Sequence, residues 1–207
     1  MSTGPDQTRG RGRPRKFDED TVRAAIMEVF WQKGYAATSL DDLSKATGLV
    51  RPSLYAAFGN KEAMFLRAMD DFTTRVQGDL ARQVPKDATP ETALNAIYAA
   101  MLAIYLDEAS TGARGCLVFS TAVAEAPMHP EIRAVLLERM ERTDQQFHRL
   151  FDRLAPTATP ARREAAAGLA AATLHSLGLR VRAGCDAATL DRFTRQAAAS
   201  IAALLAA

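Results

Sequence analysis

The chain has 207 residues, 48% of them hydrophobic and 24% charged, with 26 Lys and Arg against 24 Asp and Glu for a formal net charge of +2. That composition excludes a disordered or fibrous chain, and the near-neutral balance excludes a polycation, so any affinity for nucleic acid has to come from basic residues gathered locally. Twelve Gly and nine Pro are too few for a turn-rich β architecture, and the Ala-, Leu-, Glu- and Arg-rich stretches favour helices; the expected fold is all-α, with about nine helices.

Residues 1–16 are basic and of low complexity, carrying Arg9, Arg11, Arg13, Arg15 and Lys16 against one acid, Asp6. Such an arm cannot build a core and is expected to be disordered alone. Helical periodicity begins after Asp18-Glu19-Asp20, acids suited to the positive end of a helix dipole, with Val22, Ile26, Val29 and Phe30 on one face. Gly34 stops that helix. Thr38 or Ser39 caps a second, short helix through Leu40 and Leu43 that ends at Gly48. The third begins near Arg51-Pro52, where a missing N–H costs nothing, and runs through Leu54, Tyr55 and Phe58.

Asn60 caps a fourth helix along Phe65, Met69, Phe72, Val76 and Leu80 to about Arg82, before Pro85. A fifth starts at Thr89-Pro90-Glu91 and follows Leu94, Ile97, Met101 and Ile104; a short apolar sixth runs from Cys116 to Ala126, ahead of Pro127 and Pro130. Ile132, Leu136, Met140, Thr143, Phe147 and Leu150 mark the seventh. An Ala-rich eighth spans Arg162 to Val181, and a ninth spans about Ala188 to Leu205.

The informative stretch is Thr38 to Lys61, TSLDDLSKATGLVRPSLYAAFGNK. Two short helices joined at Ala46-Thr47-Gly48-Leu49 fit a helix-turn-helix, whose second helix enters the major groove. Leu40, Leu43, Leu49, Leu54 and Phe58 then face inward, leaving Arg51, Pro52, Ser53 and Tyr55 at the leading end of the second helix. Through GYAATSLDDLSKATGL, SLYAAF and NKEAMF, residues 17–72 resemble the tetracycline-repressor (TetR) family of transcriptional regulators. The resemblance implies a sequence-specific DNA-binding regulator, a homodimeric repressor released from a palindromic operator by a small-molecule effector. It also implies base contacts by Arg51 and Ser53, an apolar contact by Pro52, and phosphate contacts by Thr38, Tyr55 and Lys61.

The chemistry of these residues is compatible with those roles. Arg51 has the planar fork for bidentate donation to guanine O6 and N7, and Thr38 and Lys61 are expected at helix N-termini, which favour phosphate oxygens. Val50 stands where many family members place Ser and cannot accept an N–H bond from the first turn. Either Leu49-Val50 packs as a hydrophobic staple, or the helix tip is loose until DNA binds. The arm Arg11-Gly12-Arg13-Pro14-Arg15-Lys16 resembles an AT-hook core, with Arg13 and Arg15 suited to a narrow A·T-rich minor groove; the alternative is a solubilising tail making loose phosphate contacts.

These readings divide the chain into an arm (1–16), a helix-turn-helix DNA-binding domain (17–61), a connecting helix (62–82) and an effector-binding and dimerisation domain (83–207). Small residues and Leu in the last two helices suit a two-fold four-helix dimer interface. Met101, Tyr105, Cys116, Phe119, Met140, Phe147 and His175, with Met128 and Arg180, are candidates to line an effector pocket, although each taken alone is more simply explained as plain core. His129 and His148 are expected at the surface. Cys116 opens a helix beside Arg114, where the dipole lowers a thiol pKa; it offers an electrophile- or oxidant-sensing alternative, against the simpler reading of a buried small hydrophobe.

No GxSxG, HExxH, P-loop or dinucleotide fingerprint is present, and the three histidines are scattered. Cys116 and Cys185 form neither a CxxC pair nor a zinc cluster. No enzyme activity, cofactor or metal is therefore expected. The apolar run Ala165–Leu179 is too short to span a bilayer and no signal peptide is evident, so the protein is expected to be cytoplasmic. The remaining rival is an architectural protein that binds DNA nonspecifically.

Overall fold

Glycines and capping side chains cut the chain into helices where the sequence signals them. A computed structural model describes residues 17–80, 84–106 and 114–207, and among these the elements are α1 (Glu19–Lys33), α2 (Leu40–Thr47), α3 (Arg51–Phe58), α4 (Lys61–Leu80), α5 (Pro90–Tyr105), α6 (Leu117–Thr121), α7 (Pro130–Leu154), α8 (Pro160–Arg182) and α9 (Ala187–Ala206). The basic arm, with Arg13 and Arg15, lies outside the described residues. No helix among the described residues is long and apolar enough to cross a membrane.

Gly48 ends α2 at φ 69°, a conformation that strains any residue with a Cβ. The α2 N-terminus is closed by Ser39, not Thr38, in a reciprocal capping box. The Asp42 N–H donates to Ser39 Oγ at 3.1 Å, and the Ser39 N–H donates to Asp42 Oδ2 at 2.9 Å. Asn60 Oδ1 accepts the Ala63 N–H at 2.8 Å at the start of α4. The sixth helix is shorter than its apolar run suggests, ending at Thr121 instead of Ala126. The Thr121 hydroxyl bonds back to the Leu117 carbonyl, and Pro127 disfavours helical backbone at Ala126, so the segment continues as turns.

The head is built by α1 packing on α4 and α2, around Phe30, whose ring meets Phe65 edge-on at 5.1 Å. In the body, α8 lies against α7 and α9, while α5 packs on α9. Ala166, Ala167, Ala170 and Ala171 are buried along α8 and let its neighbours approach closely. The tightest approach joins α8 to the chain entering α6. A Cβ on Gly178 would lie 2.7 Å from Cys116 Cβ, and one on Gly115 would lie 2.2 Å from the Gly178 carbonyl oxygen.

Polar contacts fasten head to body at that same place. The buried Trp31 indole N–H donates to the Gly115 carbonyl at 2.8 Å, and the Arg114 guanidinium lies 4.5 Å over the Trp31 ring while pairing with Glu28. Arg182 of α8 donates to the Trp31 carbonyl at 3.2 Å and the Arg114 carbonyl at 3.1 Å, placing a cation at the negative end of α1. A second fastening runs from α4 to α7. Asp70 accepts from Arg139 at 2.8 Å, and Glu62 Oε2 lies 2.6 Å from His129 Nδ1. His129, expected at the surface, is thus half-buried between the two halves, with its ring edge-on to Tyr35 at 4.9 Å.

Candidate nucleic-acid interface and effector cavity

Leu54 and Phe58 bury the inner face of α3, which turns its leading end to solvent. Arg51 and Tyr55 are 54% and 47% exposed; Pro52 is exposed and Ser53 half-buried. Val50 occupies the N-cap with no side-chain bond and is itself exposed. Pro52 has no N–H, and the N–H groups of Ser53 and Leu54 turn back to the Val50 carbonyl at 2.9 and 3.1 Å, so the missing cap leaves little unpaired. Leu49 packs half-buried against the core.

Two features of this surface differ from expectation. Arg51 is not a free solvated charge, because its Nε and Nη2 donate bidentately to Asp41 of α2 at 2.9 and 2.6 Å. Binding of a base edge by this fork requires exchange of one planar partner for another. Thr38 is buried one residue ahead of the α2 cap, and its hydroxyl donates into the head, to the Gly34 carbonyl at 2.6 Å. Lys61 Nζ donates to the Thr38 carbonyl at 2.8 Å and stands 4.3 Å over the Tyr35 ring. Thr38 and Lys61 therefore brace α2 and α4 against each other in the free protein. The Asp41 partner was hidden from sequence because it is ten residues from Arg51 on another helix.

In the body, a cavity of about 70 Å³ opens between α4, α5, α6, α7 and α8. Of the residues expected in a pocket, Met101, Tyr105, Cys116 and Phe119 line it. Met140, Phe147 and His175 do not. Met140 is 40% exposed on α7, although it shares a helical stripe with buried Leu136 and Phe147. Phe147 is core, with its ring stacked on Phe151 at 6.3 Å. His175 sits behind the wall, 4.0 Å from the Phe119 ring, where burial lowers its pKa. Met128 is 79% exposed, and Arg180 lies over the Phe193 ring at 4.1 Å; neither reaches the cavity.

Most of the lining that sequence reasoning missed comes from two helices, with Val118 of α6 and Leu174 of α8 added. Phe72, Thr73 and Val76 of α4 form one wall, and Arg139, Arg142, Thr143 and Gln146 of α7 form the polar end. The α7 spacing, i, i+3, i+4 and i+7, was a usable signal, but it reads equally as a solvated face. Cys116 is nearly fully buried and serves as the α6 N-cap, its sulfur accepting the Phe119 N–H at 3.5 Å. Burial outweighs that bond and pushes the thiol pKa up, opposite to the lowering expected from a helix N-terminus.

Comparison with known proteins bears on the head and the body together. Residues 22–68 match the family model described as bacterial regulatory proteins, tetR family. The chain is 38% identical over 143 residues to the HTH-type transcriptional repressor ComR of Escherichia coli (strain K12), covering 67% of each protein. It superposes on a cysteine-substituted TetR family transcriptional regulator CifR, solved with 26-base-pair double-strand operator DNA, with TM-score 0.80 and 27% identity over 91% of this chain and 99% of that one. A TetR family regulator from Cytophaga hutchinsonii, 24% identical, shares the fold at TM-score 0.74 over 90% of this chain and 92% of its own. The exposed recognition helix on its braced head, carried by an all-α body and matched along its length by such proteins, makes this chain a member of the TetR family of DNA-binding transcriptional regulators.

Proposed function

We propose that the chain is a homodimeric repressor that reads a palindromic operator through α3 and is released when a small effector enters the cavity between α4 and α8. The observation that carries this reading is the leading end of α3. Arg51, Pro52 and Tyr55 are exposed at the tip of a helix whose opposite face is locked into the head by Leu54 and Phe58. Arg51 and Ser53 are assigned to base edges, Pro52 to an apolar contact, and Tyr55 and Lys61 to phosphates.

Leu169 and Leu179, each 52% exposed on α8, support a two-fold interface through α8 and α9, which would set two α3 helices one DNA turn apart, about 34–36 Å. ComR is named as a repressor and CifR was solved on operator DNA, which supports the same role here. Burial of Cys116 favours a ligand-operated over a thiol-operated release.

The test is a gel-shift and footprinting assay of the full chain on the DNA flanking its gene. Arg51→Ala should weaken specific binding about 10-fold to 100-fold, the range for loss of a bidentate base contact, while leaving nonspecific binding nearly unchanged. Equal affinity of the two proteins for the protected site overturns the assignment of α3. A specificity ratio near one for the wild type favours the architectural reading.

A further inference from the structure

The polar end of the cavity is charged in one sense. Among the described residues its lining holds two guanidiniums, Arg139 and Arg142, and no carboxylate, beside the neutral Thr143 and Gln146. The acids that pair with these arginines stand outside the lining: Asp70 accepts from Arg139 Nη2 at 2.8 Å and is 65% exposed, and Glu138 lies 3.2 Å from Arg142 Nη2 at the surface. Arg139 is 11% exposed, and its Nε is buried with no hydrogen-bond partner among the described residues. A buried N–H on a charged group is costly to leave unmade, and a guanidinium edge offering Nε beside Nη is the geometry that a carboxylate matches with two parallel bonds.

The opposite end is apolar, walled by Phe72, Val76, Met101, Val118 and Phe119. A cavity of about 70 Å³ is about half the size of the roughly 150 Å³ apolar cavity that admits benzene, so it encloses only a few carbons of an alkyl chain and leaves the head group at the end where Arg142 is exposed. We infer that this cavity takes a small amphipathic monoanion, a short-chain alkyl carboxylate, with its carboxylate on Arg139 and Arg142 and its chain among Phe72, Met101 and Phe119. The inference rests on the cavity being the effector site, and it names the ligand class and how release is triggered. A carboxylate on Arg139 competes with Asp70 of α4 for the same guanidinium, so binding loosens the α7–α4 pair that holds the body against the head.

The experiment uses three probes of matched length on the full-length protein: pentanoate, its neutral amide pentanamide, and the cation pentan-1-amine. Binding is followed by the rise in Tm and by fluorescence of Trp31, the only tryptophan in the chain, whose ring meets the cavity residue Phe72 at 4.9 Å. Pentanoate should bind saturably and at least tenfold more tightly than either analogue. The preference should fall at least tenfold in Arg139→Gln and be restored only in part by Arg139→Lys, which keeps the charge but not the fork; Arg142→Gln, altered at a solvent-exposed pair, supplies a second variant if Arg139→Gln does not fold. Pentanoate should also weaken operator binding by the wild type. Equal binding of pentanamide overturns the anion assignment while the cavity remains an effector site. Failure of all three to bind overturns both readings.

Discussion

Replacement of Trp31 by Phe tests whether the junction between α1 and the chain entering α6 holds the head on the body. The indole is buried, donates to the Gly115 carbonyl at 2.8 Å, and lies under the Arg114 guanidinium. Phe keeps the six-membered ring but removes the donor, which leaves a buried carbonyl short of a partner at about 1–3 kcal/mol. Loss of the pyrrole portion opens a small void worth about 1 kcal/mol, and a weaker cation–π contact adds roughly 0.5 kcal/mol. The sum is about 3 kcal/mol. For a chain of this length each kcal/mol moves Tm by roughly 2–4 °C, so Trp31→Phe should melt roughly 6–12 °C lower. The assay is urea and thermal unfolding followed by circular dichroism, since the substitution removes the fluorophore. A loss under about 1 kcal/mol would show that the Gly115 carbonyl is satisfied otherwise and that this junction is not what fastens the two halves.

Val50→Ser should leave the fold intact and stabilise it by about 0.5 kcal/mol, at the low end of N-cap effects because Pro52 and the Val50 carbonyl already relieve the first turn; a destabilisation of several kcal/mol in urea unfolding would refute this. Gly178→Ala forces a Cβ to within 2.7 Å of Cys116 Cβ and should cost about 1–3 kcal/mol as overpacking, read by the same unfolding curves. Burial lowers the His175 pKa below its usual 6.5; the unfolded chain therefore binds the proton more readily, and the stability from neutral His175 is present above pH 6.5 and lost as pH falls through the lower folded value. His175→Gln should flatten the decline of Tm from pH 7 to pH 5, and parallel curves for the two proteins would exclude His175 as its source. At neutral pH iodoacetamide should alkylate the half-buried Cys185 more than tenfold faster than buried Cys116, whose pKa is raised; equal labelling by mass spectrometry would restore the thiol-sensing alternative.

The helices and the recognition element were legible because their causes are local. A capping residue, a left-handed glycine or a run of apolar residues at helical spacing acts within four or five positions, so Gly34, Gly48 and the Leu54–Phe58 face could be placed from sequence alone. The cavity was half legible for the opposite reason. Met101, Tyr105 and Phe119 stood out as bulky apolar residues, but whether a bulky residue lines a void or fills one depends on its neighbours from other helices, as Phe147 on Phe151 shows. Arg139 and Arg142 read as solvated charges because nothing in the sequence places Asp70 beside one and an apolar cavity beside both. The two readings of Cys116 divide on the same ground: its helix-terminal position, which favours a lowered pKa, is local, whereas its burial by Gly178 and Tyr105, which decides for the buried hydrophobe, is tertiary.

A ligand shifts an equilibrium only through contacts that differ between the two states, which restricts how the cavity acts on α3. Most of the lining belongs wholly to the body, so contact with Met101 or Val118 adds affinity without preferring either placement of the head. Phe72 and Arg139 are different. Phe72 lies on α4, which begins at Lys61 under the head, and its ring packs on Trp31 of α1; Arg139 holds Asp70, two residues earlier on the same helix. A chain that displaces Phe72 acts on Trp31 and so on the Gly115 junction, while an anion that takes Arg139 from Asp70 acts on the second fastening. Both routes converge on α4, so coupling between ligand and DNA should be weakened in Asp70→Asn to what the Phe72 route alone carries, with ligand affinity retained or raised because the competitor for Arg139 is weakened. If Asp70→Asn releases operator DNA at the same ligand occupancy as the wild type, the path through Arg139 and α4 is wrong.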